Sequence, residues 1–302
     1  MSSIPAANLK SPNGLGSQRT RRHPEVGGPG RITPSPSKAA NGTANVEHLV
    51  HLLDCFDSTS TLASIGRAIG VEPDHLADAI HRYDSARLAD HPYEDVALSV
   101  LTDLGTDLSQ VRFDGACFFH GTRVVDPSTF RRRGLLPLDV MLDEIWEVLR
   151  ILAEASHKEW EAFRATIESD GGGHDGYLYR LKTRDAMHHG PQAHLVREVH
   201  VDLPQSSHDY LSCPEIVQDI ARYYEVADLE ARFVEASTPC IVKFWAPCVS
   251  AWHVETAFCF LHARLSGEPL GFSSCGGFDG SGTAVSPEAI IDVEVVEPRP
   301  VA

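Results

Sequence analysis

Four shortages stand out in this sequence, and each excludes a class of protein. There is no Cys-x-x-Cys pair among seven scattered cysteines (Cys55, Cys117, Cys213, Cys240, Cys248, Cys259 and Cys275). An odd, scattered set is neither a disulfide framework nor a zinc-ligand pattern. Several of these thiols stand in apolar stretches, as reduced, buried cysteines do in a cytosolic protein. No run approaches the roughly 18 apolar residues that cross a bilayer, and no apolar segment near the start has the form of a secretory signal. A soluble cytoplasmic protein without a membrane partner is therefore expected. Positive charge is also short: 26 basic against 42 acidic side chains give a net charge of −16. An acidic surface repels phosphates, which argues against nucleic acid as a partner. Finally, the chain lacks a strand-borne Gly-x-Gly-x-x-Gly, a phosphate-loop Gly-Lys-Ser and a Gly-x-Ser-x-Gly elbow, the marks of dinucleotide folds, P-loop enzymes and α/β-hydrolases.

The charge is uneven. Residues 1–44 carry Lys10, Arg19, Arg21, Arg22, Arg31 and Lys38 against Glu25, a net +5, which leaves −21 for the remainder. This segment is rich in Ser, Pro, Gly and Asn and has no hydrophobic period, so it reads as a disordered basic tail. Residues 45–105 read as a small helical module. Val46, Leu49, Leu52 and Leu53 recur at helical spacing. After Asp57 and Ser58, a helix, a turn at Gly70 and a second helix through His81 resemble a helix-turn-helix. Glu72, Asp74 and Asp78 on the second helix would repel phosphates, which favours a docking or regulatory role over DNA readout.

From residue 111 the pattern changes to strands. Residues 139–168 are expected to form one long amphipathic helix, with Leu142, Ile145, Leu149, Leu152, Trp160, Phe163 and Ile167 along one face, started by Asp139 and ended by Gly171-Gly172-Gly173. Gly176–Leu181 reads as a strand with Tyr177 and Tyr179 on one face. A strand is also expected over 193–201, a helix over 215–224 and a buried strand over 241–245. Residues 252–265 read as a helix or a further strand, and a final strand is expected near 284–295. His188, His189, His194 and His200 share no ligand spacing with a carboxylate or cysteine, and Gly190-Pro191 interrupts any helix that would align them, so no metal is expected.

The most informative stretch is Cys117-Phe118-Phe119-His120-Gly121-Thr122-Arg123, followed by Phe130 and Gly134-Leu135-Leu136-Pro137. An apolar run reads as a buried strand that delivers polar groups at its exit. Here the chain resembles the ADP-ribosyltransferase superfamily, in the branch of poly-ADP-ribose polymerases, diphtheria-type toxins and tRNA 2′-phosphotransferases. The resemblance covers roughly residues 111–297, anchored at this strand and more loosely at the Pro287 turn into the closing strand. It implies an α+β fold, a split antiparallel sheet with edge helices, and NAD as a substrate. It further implies that His120 and Gly121, with Thr122 and Arg123 beside them, hold the ribose and the nicotinamide amide.

Cleaving NAD requires a bent dinucleotide, a stacked nicotinamide and stabilisation of a cationic ribose. Tyr177 or Tyr179 is the candidate for stacking, and Arg123 for pairing with the pyrophosphate. The glutamate that the family often places before the closing strand would fall near Cys275 or Gly276, where no acid stands. Asp279, between Phe278 and Gly280, is the nearest carboxylate, and Glu268 lies further upstream. By resemblance, the missing glutamate points away from polymer synthesis. The expected activity is transfer of a single ADP-ribose to an unknown protein or small-molecule acceptor. The alternatives are an inactive domain of this fold that binds NAD or a protein partner, an RNA 2′-phosphotransferase, and a transcriptional regulator built on the helical module, which the charge balance disfavours.

Overall fold

A computed structural model describes residues 51–83, 95–169, 173–202, 208–224 and 228–297. The expected tail and the helix expected near Val46 and Leu49 lie outside the described residues. Within them the fold is mixed α/β, with ten α-helices and a six-stranded, mostly antiparallel sheet.

The first described residues depart from expectation: Leu52–Leu53 form a short strand, β1, not a helix. Two helices then follow as the sequence suggests. Asp57 accepts a hydrogen bond from the Ser60 N–H (2.7 Å) and caps α1, Ser58–Ile69. Gly70 ends that helix in the left-handed conformation, which glycine adopts without steric cost. Pro73, at a first-turn position that tolerates its missing N–H, opens α2, Pro73–His81. Helix α3 spans Asp95–Asp103.

β2, Gly115–Val124, is the central strand. It is joined by β3 (Gln192–His194), β4 (Thr238–Ala246), β5 (Gly277–Asp279) and β6 (Ile290–Val295) in the order β5-β3-β2-β4-β6, and β1 pairs in parallel with the start of β2. Between β2 and β4 the antiparallel ladder runs from Ala116↔Ala246 to Val124↔Thr238.

Side chains alternate along a strand, so each sheet face has its own surroundings. Ala116, Phe118, Cys240, Val242 and Phe244 face the main core, which they share with α1, α2, α3 and α10 (Ala251–Ser266). Nearly every side of α10 is buried, as expected for an apolar helix enclosed in a core. Helices α1–α3 therefore have no separate apolar core among the described residues, and residues 51–83 and 95–105 share the core of the sheet. Cys117, Phe119 and Ile241 look out on the opposite face towards Leu211.

Between β2 and β4 lies a second core made almost wholly of helices. After the short α4 (Thr129–Arg133) come α5 (Leu138–Leu152), α6 (His157–Glu168), α7 (Gly173–Arg184), α8 (Glu215–Tyr224) and α9 (Leu229–Ala236). The single helix expected over 139–168 is broken at 153–156. Glu154 has φ 55°, and Ser156 caps α6, accepting from the Glu159 N–H (3.4 Å) while donating to its carboxylate (2.7 Å). The pair has the Ser-x-x-Glu spacing of a capping box, with the carboxylate meeting the Ser156 hydroxyl. Trp146, Trp160, Phe163 and Tyr224 close the core with ring centroids 4.6–5.5 Å apart.

The strand expected over 176–181 is also corrected, because these residues belong to α7. A helix advances about 100° per residue, so Gly176, Tyr179 and Thr183 share a face and Tyr177 does not. Burial of Gly176 and Tyr179 against the helical core outweighs the short alternation that suggested a strand. The strand expected over 193–201 is shorter than read: β3 ends at His194, and Arg197–His200 form a 3₁₀ turn. Helix α8 has the expected bounds, β4 contains the expected 241–245, and 252–265 is a helix.

Candidate functional site

His120 and Gly121 lie inside β2, paired with Val242 and Ile241 of β4, and not at a strand exit as the apolar run suggested. What opens beside them is the other edge of the strand. On that side β1 covers Gly115 and Ala116, and among the described residues β3 pairs only at Phe119↔His194. The direction of the backbone groups follows from the neighbouring hydrogen bonds. The Leu195 N–H donates to the carbonyls of Cys275 (3.2 Å) and Gly276 (3.1 Å) on the β5 side. The alternate residues Gln192 and His194 thus turn their N–H and C=O towards β2. Phe119, opposite His194, turns its own groups towards β3, and so does Gly121, two residues on.

A regular ladder would next pair Gly121 with Gln192, but the Gln192 carbonyl is engaged by the His120 Nδ1 at 2.6 Å. A carbonyl only accepts, so Nδ1 carries the proton and Nε2 is the acceptor of the ring. Burial, chiefly, and the neighbouring His194 hold the His120 pKa below the ordinary histidine value, which keeps the imidazole neutral at pH 7. Among the described residues the β2–β3 ladder thus stops at His120, and strand alternation directs the Gly121 N–H and C=O to the β3 side.

A second imidazole packs over Gly121. His200, at the end of the 3₁₀ turn, is buried and places Nε2 2.8 Å from the Phe119 carbonyl. A Cβ at position 121 would collide with His200 Nδ1. The His194 ring lies 5.2 Å from that of His200. Burial, followed by His194, lowers the His200 pKa to about 3, and burial also lowers that of His194. His200 was considered in the sequence only as a metal ligand, and nothing in its local pattern reveals that it meets Phe119, 81 residues away. Among the described residues no group of His, Cys, Asp and Glu is arranged to hold a metal ion.

The remaining candidates are dispersed. Arg123 is 6% exposed. Its guanidinium donates to the Ser237 hydroxyl (3.1 Å) and to the carbonyls of Leu211 (3.0 Å), Val234 (2.6 Å) and Ser237 (2.9 Å). It ties β2 to the end of the helical region and is not directed at a pyrophosphate. Tyr179 is 1% exposed, and its hydroxyl accepts from Trp146 Nε1 (3.1 Å) and meets Glu168 (3.3 Å). Tyr177 is 55% exposed on another side of α7. The two tyrosines therefore do not share a face.

Asp279 ends β5 opposite Gln192, two strand spacings or roughly 10 Å from Gly121. Its carboxylate accepts from the Ser281 N–H at 2.7 Å, a turn-forming bond. Cys275 is buried. Gly276 has φ 55°, and a Cβ there would press on Leu195. The Gly134-Leu135 element does meet the C-terminal segment. Leu135 and Val285 exchange both backbone hydrogen bonds (3.0 and 2.9 Å), and Gly134, at φ 75°, sits where any side chain would strike the Val285 carbonyl.

Comparisons with protein-family models, with curated proteins and with solved structures find no match for this chain.

Proposed function

We propose that this protein is an NAD-dependent mono-ADP-ribosyltransferase with an ADP-ribosyltransferase-type split sheet. The observation that carries the reading is the parting of β2 and β3 at His120, which turns the Gly121 N–H and C=O towards a gap. A carboxamide has one acceptor and two donors, so nicotinamide would complete the hydrogen bonding of both backbone groups at once. The neutral His120 Nε2 would accept from a ribose hydroxyl, and the Thr122 hydroxyl stands on the same strand. The clasp between Leu135 and Val285 and the turn through Pro287 into β6 support the resemblance in the parts that flank this strand.

In this reaction the bond between ribose C1′ and the nicotinamide nitrogen breaks, and its electron pair leaves with neutral nicotinamide. A lone pair of the acceptor forms the new bond at C1′, and the acceptor's proton passes to a base. Asp279 is the carboxylate proposed for that proton and for the developing cation, acting across Gln192 from the gap.

The second reading is a domain that binds NAD without turning it over. It is favoured by the positions of Tyr177, Tyr179 and Arg123, which leave the gap with His120, Gly121 and Thr122 alone of the six binding candidates. Nicotinamide release from NAD by the wild-type protein, beside His120→Ala, separates the two. Release that is lost in His120→Ala supports the transferase. Binding of NAD without release supports the second reading, and absence of both rejects the site.

A further inference from the structure

His200 is a residue to which neither the motif nor the proposed reaction gives a role. It packs over Gly121 on one face of β2. Its Nε2 lies 2.8 Å from the Phe119 carbonyl, so Nε2 is the protonated nitrogen and Nδ1 the lone-pair nitrogen. Nδ1 occupies the space in which a Cβ of residue 121 would stand. No positive φ is imposed on Gly121, so backbone conformation does not explain why a glycine is there; the imidazole above it does. His120 and His200 act as a pair of wedges. One engages the Gln192 carbonyl of β3, the other the Phe119 carbonyl of β2, and between them the ladder stops.

We infer that His200 is a positioning residue for the Gly121 backbone, closing the sheet face above it so that a carboxamide ligand is admitted only in the plane of the parted strands. This rests on the proposed NAD reading for the identity of the ligand, but the packing of His200 on Gly121 does not.

Two measurements on the full chain test this separately. The first needs no ligand: thermal midpoints of Gly121→Ala, His200→Ala and the double variant. Gly121→Ala forces a methyl into the imidazole and is expected to lower the midpoint by about 5 °C. In the double variant the space is free, so its loss is expected to fall well short of the two single losses added together. Strict additivity would overturn the contact. The second is the dissociation constant for NAD in His200→Gln, whose side-chain amide can still donate to Phe119, and in His200→Leu, which fills the volume without a donor. Binding is expected to weaken about tenfold in His200→Leu and to stay near the wild-type value in His200→Gln. Equal, wild-type affinity in both variants would overturn the positioning role. If the wild type itself does not bind NAD, the NAD reading fails, and the midpoint cycle still decides whether His200 shapes the Gly121 edge.

Discussion

The two cores of this chain differ in which backbone carbonyls are left for side chains to reach. In the sheet region, buried polar side chains bond to backbone carbonyls: His120 to Gln192, His200 to Phe119, and Arg123 to Leu211, Val234 and Ser237. In the helical region side chains bond to each other, as Trp146 does with Tyr179 (3.1 Å) and Lys182 with Asp219 (2.6 Å), and also to carbonyls, as Trp160 Nε1 does to that of Trp146 (2.9 Å). The reason lies in the backbone. Most carbonyls within a helix accept along the helix, whereas carbonyls where strands part, as at Gln192, or where a helix ends, as at Ser237, are left for side chains to reach. The bond from His120 to Gln192 therefore marks the place where the ladder opens.

The sharpest way to break this comparison is to remove one member from each side. Trp160→Ala deletes a ring from the helical core and is expected to cost about 3–5 kcal/mol, measured by denaturant unfolding, with little change at the His120 gap. Arg123→Met keeps much of the volume but strands several carbonyls, at an expected cost of about 3 kcal/mol. A loss within about 0.5 kcal/mol, the level of an ordinary surface change, would show that these carbonyls need no side chain.

The pH dependence of stability sharpens the comparison from the sheet side. The His200 pKa is about 3 in the folded state, below its unfolded value of roughly 6.5. The unfolded chain thus binds the proton first. The contribution of His200 is complete above about pH 6.5 and is lost as pH falls towards 3, with a slope of at most about 1.4 kcal/mol per unit. Subtracting the profile of His200→Gln from that of wild type isolates this share, and identical profiles would refute the neutral, buried state.

The smallest effects concern the tyrosines. Tyr179→Phe removes a buried hydroxyl bonded to Trp146 and is expected to cost about 1 kcal/mol. Tyr177→Ala is expected to change stability by no more than about 0.5 kcal/mol and to leave NAD affinity unaltered. A large loss of affinity in Tyr177→Ala would return the nicotinamide-stacking role to that residue.

Local signals were legible where local physics decides the outcome. Asp57, Gly70 and Pro73 mark the ends of α1 and α2, and the apolar period of 215–224 marks α8. The break within 139–168 is hidden in the sequence because the apolar stripe resumes on its far side, although Ser156-x-x-Glu159 marks it. The segment at Tyr177 misled because two alternating tyrosines are too short a sample to separate a period of 2 from one of 3.6. At the candidate site, His120 and Gly121 were visible as a motif. The partners that give them their geometry, Gln192 and His200, come from distant segments whose approach depends on tertiary packing. The fate of Arg123 was equally hidden, since its acceptors are backbone carbonyls at 211, 234 and 237.

The position of β2 also sets the order in which the chain can be made. Its long ladder partner begins at Thr238, and the entire helical region lies between the two. During synthesis β2 therefore leaves the ribosome with its β4 edge uncovered and its Cys117-Phe118-Phe119 run exposed, while α5–α9 can already bury their aromatic faces against one another. Nascent chains that stop short of residue 238 carry an unpaired apolar strand, the kind of segment that aggregates or recruits chaperones. Production of this protein is accordingly most vulnerable to pausing or truncation within the helical region, well after the candidate site's own residues have been translated.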